Sequence, residues 1–140
     1  MTTPAPFHGE LADAPPGATA VWLKPGAARI RVAWWKAGDK GTVVLLPGRT
    51  ECIEKYGRAA GDLIRRGYSV ITIDWRGQGL SDRALPDATV GHVGDFAEYQ
   101  EDLAALMAEA DRADLPEPRF LMAHSMGGAI GLRALMRGLP

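Results

Sequence analysis

Several things are scarce in this 140-residue chain, and most of these scarcities exclude something. Cysteine occurs once, as Cys52, so no internal disulfide can form. No apolar run approaches the roughly 20 residues a membrane helix needs. Charge of one sign is also lacking: sixteen basic residues against seventeen acidic leave a net charge of −1. With no basic stripe or like-charge block, neither nucleic acid nor an anionic membrane surface is an expected partner. Met1 to Glu10 hold neither a positive leader nor an apolar core segment, so no secretory signal is expected and the reading is a soluble cytoplasmic protein. Histidine occurs three times, at positions 8, 92 and 124, and no Asp, Glu or His follows position 125.

What remains is the pattern of a single α/β domain. Residues 1–17, rich in Pro and Ala and closed by Ala14-Pro15-Pro16-Gly17, are expected as an irregular arm. Thr19–Leu23 and Ile30–Trp35 flank Lys24-Pro25-Gly26 and predict an antiparallel hairpin. Thr42–Leu46, Val70–Ile73 and Phe120–Ala123 are apolar throughout, as strands are when both faces of a parallel sheet are covered by helices. Between them lie helical patterns. Glu54–Arg66 carries a stripe of Tyr56, Ala59, Ala60, Leu63 and Ile64, with Gly67 placed as the C′ residue. Asp95–Ala110 puts Phe96, Tyr99, Leu103, Leu106, Met107 and Ala110 on one face, with Asp95 and Glu98 spaced as a capping box. Gly127–Arg137 is the last helix, with Gly138 and Pro140 as stops.

Chemistry concentrates in Phe120-Leu121-Met122-Ala123-His124-Ser125-Met126-Gly127-Gly128, an apolar strand turning through a serine into a glycine-led helix. Such a turn lifts the serine clear of the sheet and sets it at the positive end of a helix. It strains the serine backbone and crowds the residues two places away, so those must be small. Gly127 meets this requirement, and Ala123 meets it approximately. The N–H of Met126 is placed to donate to a developing oxyanion. A second donor is expected from Pro47-Gly48-Arg49-Thr50, with the Arg49 N–H as candidate.

Leu46-Pro47-Gly48-Arg49, Asp74-Trp75-Arg76-Gly77-Gln78-Gly79-Leu80-Ser81 and His124-Ser125-Met126-Gly127-Gly128 occur in this order. From about residue 18 to 140 the chain thereby resembles the α/β-hydrolase superfamily, its lysophospholipase and monoacylglycerol lipase branch above all. The resemblance implies an α/β-hydrolase fold, a mostly parallel sheet with flanking helices, with residues 18–140 as an amino-terminal half truncated after the elbow helix. It implies a serine hydrolase of carboxylic esters, with Ser125 as nucleophile and the N–H groups of Arg49 and Met126 as oxyanion donors. Lysophospholipids or monoacylglycerols are the implied substrates, and no metal or organic cofactor is implied. The family usually places His-Gly before the oxyanion residue, where this chain has Pro47-Gly48; the backbone donor is unaffected. Its acid and histidine follow the serine in the order Ser, Asp or Glu, His, and none is present here.

The remaining candidates for a base are expected to be structural: His8 in the arm, His92 ahead of a helix, and His124 pointing away from the adjacent serine. Asp74 with Arg76 is expected to form a structural ion-pair turn, Asp82 and Asp95 to serve as turn and cap, and Cys52 to pack. Arg76-Gly77-Gln78-Gly79 does not complete a dinucleotide fingerprint, because Asp82 stands at the third glycine. The isolated chain is therefore expected to be nearly inactive and to self-associate through the open edge beside Phe120–Ala123. The alternatives are a non-catalytic fragment, a binding module using the half-fold, and acyl transfer on the same scaffold.

Overall fold

In the computed structural model, which describes residues 2–139, six strands form one sheet in the order β1-β2-β3-β5-β4-β6. These are β1 (Thr3–Pro4), β2 (Thr19–Leu23), β3 (Ile30–Trp35), β4 (Thr42–Leu46), β5 (Ser69–Asp74) and β6 (Arg119–Ala123). Three helices connect or follow them: α1 (Gly57–Arg65), α2 (Glu98–Arg112) and α3 (Met126–Met136), with a 3₁₀ turn at Ile53–Tyr56 leading into α1. Pro140, expected as part of the last helix stop, lies outside the described residues.

The expected hairpin is present, with Val21 opposite Val32 and Leu23 opposite Ile30. The sheet is antiparallel from β1 to β5 and parallel across β5, β4 and β6. Every residue of β4 and β5 is buried, which is why Val43–Leu46 and most of Val70–Ile73 are apolar on both faces. Alternate side chains face opposite layers. Val44, Leu46, Ile71 and Ile73 meet Leu103, Leu106 and Ile130 of α2 and α3 on one face. Leu45, Val70 and Trp35 meet Ala60, Leu63 and Ile64 of α1 on the other.

Several expectations shift in detail. The arm is not wholly irregular, because Thr3–Pro4 adds to β2 at one sheet edge. The helix expected from Glu54 begins as a 3₁₀ turn, and Gly67 takes the positive φ of +98° expected of a C′ glycine. No capping box forms at Asp95. Its carboxylate accepts from the Ala97 N–H at 2.8 Å while Glu98 turns to Arg76, so α2 starts three residues late.

Chain order makes the site. After β4 the chain crosses to β5 on one side, and after β5 it crosses back to β6 on the other. The carboxyl ends of β4 and β6 therefore lie side by side, Leu46 opposite Ala123, with the loops that follow both at one crevice.

Candidate active site

Ser125 occupies the turn between β6 and α3 with φ 54° and ψ −120°, a strained conformation for a residue with a side chain. The turn is held by the His124 N–H on the Leu46 carbonyl at 3.0 Å and by the Gly128 N–H on the Ser125 carbonyl at 2.8 Å. Gly127 allows it: a Cβ there would fall 2.3 Å from the Leu46 oxygen and 2.5 Å from the Pro47 oxygen. Only hydrogen fits where the elbow crosses the end of β4. Ser125 is exposed, and its hydroxyl makes no capping bond to α3, so Oγ stands free at the helix amino terminus.

The loop after β4 faces this turn, and side chains hold three of the polar groups between Pro47 and Arg49. Trp75 Nε1 donates to the Pro47 carbonyl at 2.8 Å, and Gln78 Nε2 donates to the Gly48 carbonyl at 3.0 Å. The Gly48 N–H donates to the Glu51 carboxylate. The N–H groups of Arg49 and Met126 have no partner among the described residues.

Glu51 is the residue that sequence reasoning missed. Its buried carboxylate receives Lys55, Tyr56 Oη at 2.7 Å, the Gly48 N–H and His124 Nδ1 at 3.0 Å. Burial alone would push Glu51 up. The hydrogen bonds from Lys55, Tyr56, His124 and Gly48 outweigh it and hold the carboxyl at about 2. Burial and the bond to Glu51 push the Tyr56 phenol up in turn. His124 thus points away from Ser125, as expected, and toward Glu51. The only sequence signal was the three-residue spacing of Glu51 from Gly48, which alone says nothing about the elbow 74 residues on.

Asp74 and Arg76 do not pair with each other, contrary to expectation. Asp74 ends a buried strand beside β3, and the guanidinium that reaches it is Arg31, with Nε at 2.9 Å and a terminal nitrogen at 2.8 Å. Asp74 also accepts the N–H groups of Ile53 at 2.8 Å and Leu80 at 2.9 Å, binding the 3₁₀ turn to the turn after β5. Arg76 reaches the other way, to Asp102 of α2 at 2.8 Å and to Glu98 and Glu101. The Arg76-Gly77-Gln78-Gly79 run thus braces the site, through Arg76 on Asp102 and Gln78 on the Gly48 carbonyl.

Three expected bystanders are placed. The His8 N–H donates to Glu54, His92 is exposed, and Asp82 accepts from the Arg29 N–H at 2.9 Å. Cys52 is half-buried and precedes the 3₁₀ turn. Clefts of about 300 and 260 Å³ lie beside the turn after β5, one lined by Arg76 and His92 and the other by Arg49 and Gln78; Ser125 lines neither. Among the described residues no three His, Cys, Asp or Glu side chains converge to hold a metal ion, and no helix is long and apolar enough to cross a membrane.

The family described as "Serine aminopeptidase, S33" matches residues 37–139, a span that holds both loops and the elbow. The chain belongs to this α/β-hydrolase family. Lysophospholipase L2 of Escherichia coli K12 is 45% identical over 95 residues, 68% of this chain and 28% of that protein. Monoacylglycerol lipase of Mycolicibacterium smegmatis is 32% identical over 107 residues, 75% of this chain and 36% of that one. The chain thus aligns with about a third of the length of these relatives. Among solved structures, Cfl2 from Burkholderia cenocepacia superposes with a TM-score of 0.65 at 26% identity, covering 88% of this chain and 40% of that one. Epoxide hydrolase VrEH1 from Vigna radiata, at 21% identity and a TM-score of 0.62 over 81% of this chain and 32% of that one, shares the fold. The parallel β5-β4-β6 sheet with its flanking helices is the hydrolase fold.

Proposed function

We propose that residues 18–140 form the amino-terminal half of a serine ester hydrolase in which Ser125 is the nucleophile. Ser125 Oγ attacks the ester carbonyl carbon while its proton passes to a base. The N–H groups of Arg49 and Met126 hold the resulting oxyanion, and the alcohol leaves to give an acyl-serine that water then hydrolyses. One observation carries this reading: a serine at φ 54° with a free hydroxyl, set between two loops that each offer an unpaired N–H. The names of the relatives, lysophospholipase and monoacylglycerol lipase, support single-chain lipid esters as substrates.

The base is not among the described residues. No imidazole or carboxylate bonds Ser125 Oγ, and His124 Nδ1 is committed to Glu51. Without a base, oxyanion and binding effects alone leave about 10³–10⁴-fold over water. The isolated chain is therefore expected to turn over a short p-nitrophenyl ester barely above background. A fluorophosphonate, which loses fluoride as a serine oxygen bonds to phosphorus, should label Ser125 slowly and leave Ser125→Ala unlabelled by intact mass. Equal labelling of Ser125→Ala would end the nucleophile reading. Rapid ester turnover abolished by Ser125→Ala would end the inactivity reading.

A second reading, a module that docks another chain, is favoured by the exposed side chains of Phe120 and Met122 on β6 and of Leu132, Leu135 and Met136 on α3.

A further inference from the structure

We propose that Gln78 is the positioning residue that aims the Arg49 N–H at the oxyanion. The proposal rests on Arg49 being an oxyanion donor. In a trans peptide the carbonyl and the following N–H point in opposite directions. Whatever holds the Gly48 carbonyl therefore sets where the Arg49 N–H points. Gln78 Nε2 donates to that carbonyl at 3.0 Å, and it also faces the Glu51 carbonyl at 3.5 Å. Both neighbours are acceptors, so the amide must present its NH₂ edge and not its oxygen.

The preceding peptide is locked at both ends, by Trp75 on the Pro47 carbonyl and by Glu51 on the Gly48 N–H. Of the four polar groups in these two peptides, three are held by side chains. The fourth is the Arg49 N–H. Gly48 has no side chain to resist rotation of the peptide that follows it, so the bond from Gln78 is what opposes a flip. A flipped peptide would turn the Gly48 oxygen toward the elbow and the N–H away, replacing a donor with an acceptor. Gln78 is suited to the task because its own turn is fixed. It is 5% exposed, its N–H donates to the Trp75 carbonyl at 3.0 Å, and the turn is tied to Asp74 through Leu80 and to Asp102 through Arg76.

Two measurements on the full chain test this. The first is the orientation of the Gly48–Arg49 peptide, from crystal structures and from the Gly48 ¹³C′ and Arg49 ¹⁵N shifts. The second is the rate at which a fluorophosphonate labels Ser125. Gln78→Met keeps the length and removes the donor; the Gly48 oxygen should rotate or split between two orientations, and labelling should slow ten-fold or more. Gln78→Glu should behave the same way at neutral pH. As pH falls and the carboxyl gains a proton, its O–H becomes a donor and both shifts should return toward wild type, a recovery that mere space-filling would not give. The pH series also carries the test if Gln78→Met does not fold. An unmoved peptide in Gln78→Met overturns the proposal, and so does a moved peptide with undiminished labelling. Labelling absent from wild type, or retained in Ser125→Ala, overturns the nucleophile reading and the oxyanion role together. The peptide orientation still reports separately whether Gln78 sets it.

Discussion

At the scale of single residues, Glu51 does most to join the two halves of the site. One carboxylate receives the Gly48 N–H from the loop after β4 and the imidazole of His124 from the elbow, so the two proposed oxyanion segments share a brace. The brace depends on ionisation. The carboxyl is held at about 2, below the ordinary value of 4.5, so the native state binds fewer protons than the unfolded chain between these values. The stabilisation from Glu51 is thus complete above pH 4.5 and is lost as pH falls toward 2. Glu51→Gln should lower the unfolding free energy at pH 7 by roughly 2 kcal/mol, allowing for water screening at the half-exposed Lys55. Urea melts of both proteins across the acid range should show that difference shrink steadily below pH 4.5. A constant difference would mean that Glu51 braces by shape and not by charge.

At the scale of elements, the turn after β5 is held between Asp74 and α2, and the second attachment is the easier to test. Asp102 is fully buried; its Oδ1 takes the Arg76 guanidinium at 2.8 Å and its Oδ2 the Arg76 N–H at 3.1 Å. Asp102→Ala leaves Arg76 with Glu98 and Glu101, both partly in water, and removal of one partner of a buried pair typically costs about 3–5 kcal/mol. Chemical denaturation should show a loss of that size, and a loss under about 1 kcal/mol would mean that the two outer glutamates suffice. These attachments also mark where sequence reading stops. The strands were legible because Val43–Leu46 and Val70–Ile73 are mostly apolar, and the elbow because Ser125 and Gly127 lie two residues apart in one local pattern. Local spacing pairs Asp74 with Arg76, two residues away, yet its partner Arg31 is 43 residues away on β3. Asp102 and Glu51 were illegible for the same reason. Local spacing reveals periodicity and strained turns, whereas ion pairs across elements depend on strand order and register.

At the scale of the whole molecule, the two edges of the sheet are unlike. One ends in β1, two residues long and too short to template another strand. The other ends in β6, five residues paired only to β4, with Phe120 and Met122 exposed by 45% and 46%. Beside it α3 leaves Leu132, Leu135 and Met136 exposed by 56–80%. A strand edge with open backbone groups next to apolar side chains is a template for pairing, and natural sheets blunt such edges with charge. No charged residue stands between Phe120 and Ala123. The isolated chain should therefore sediment as dimers or larger species at micromolar concentration. Met122→Lys places an ammonium on the open strand, and Leu135→Lys places one on the adjoining helix. Together they should return the chain to a monomer while circular dichroism stays unchanged, because neither side chain belongs to the buried core. A wild-type chain that sediments as one monodisperse monomer would show that the β6 edge does not drive association. Oligomers that survive both lysines would place the contact elsewhere on the surface.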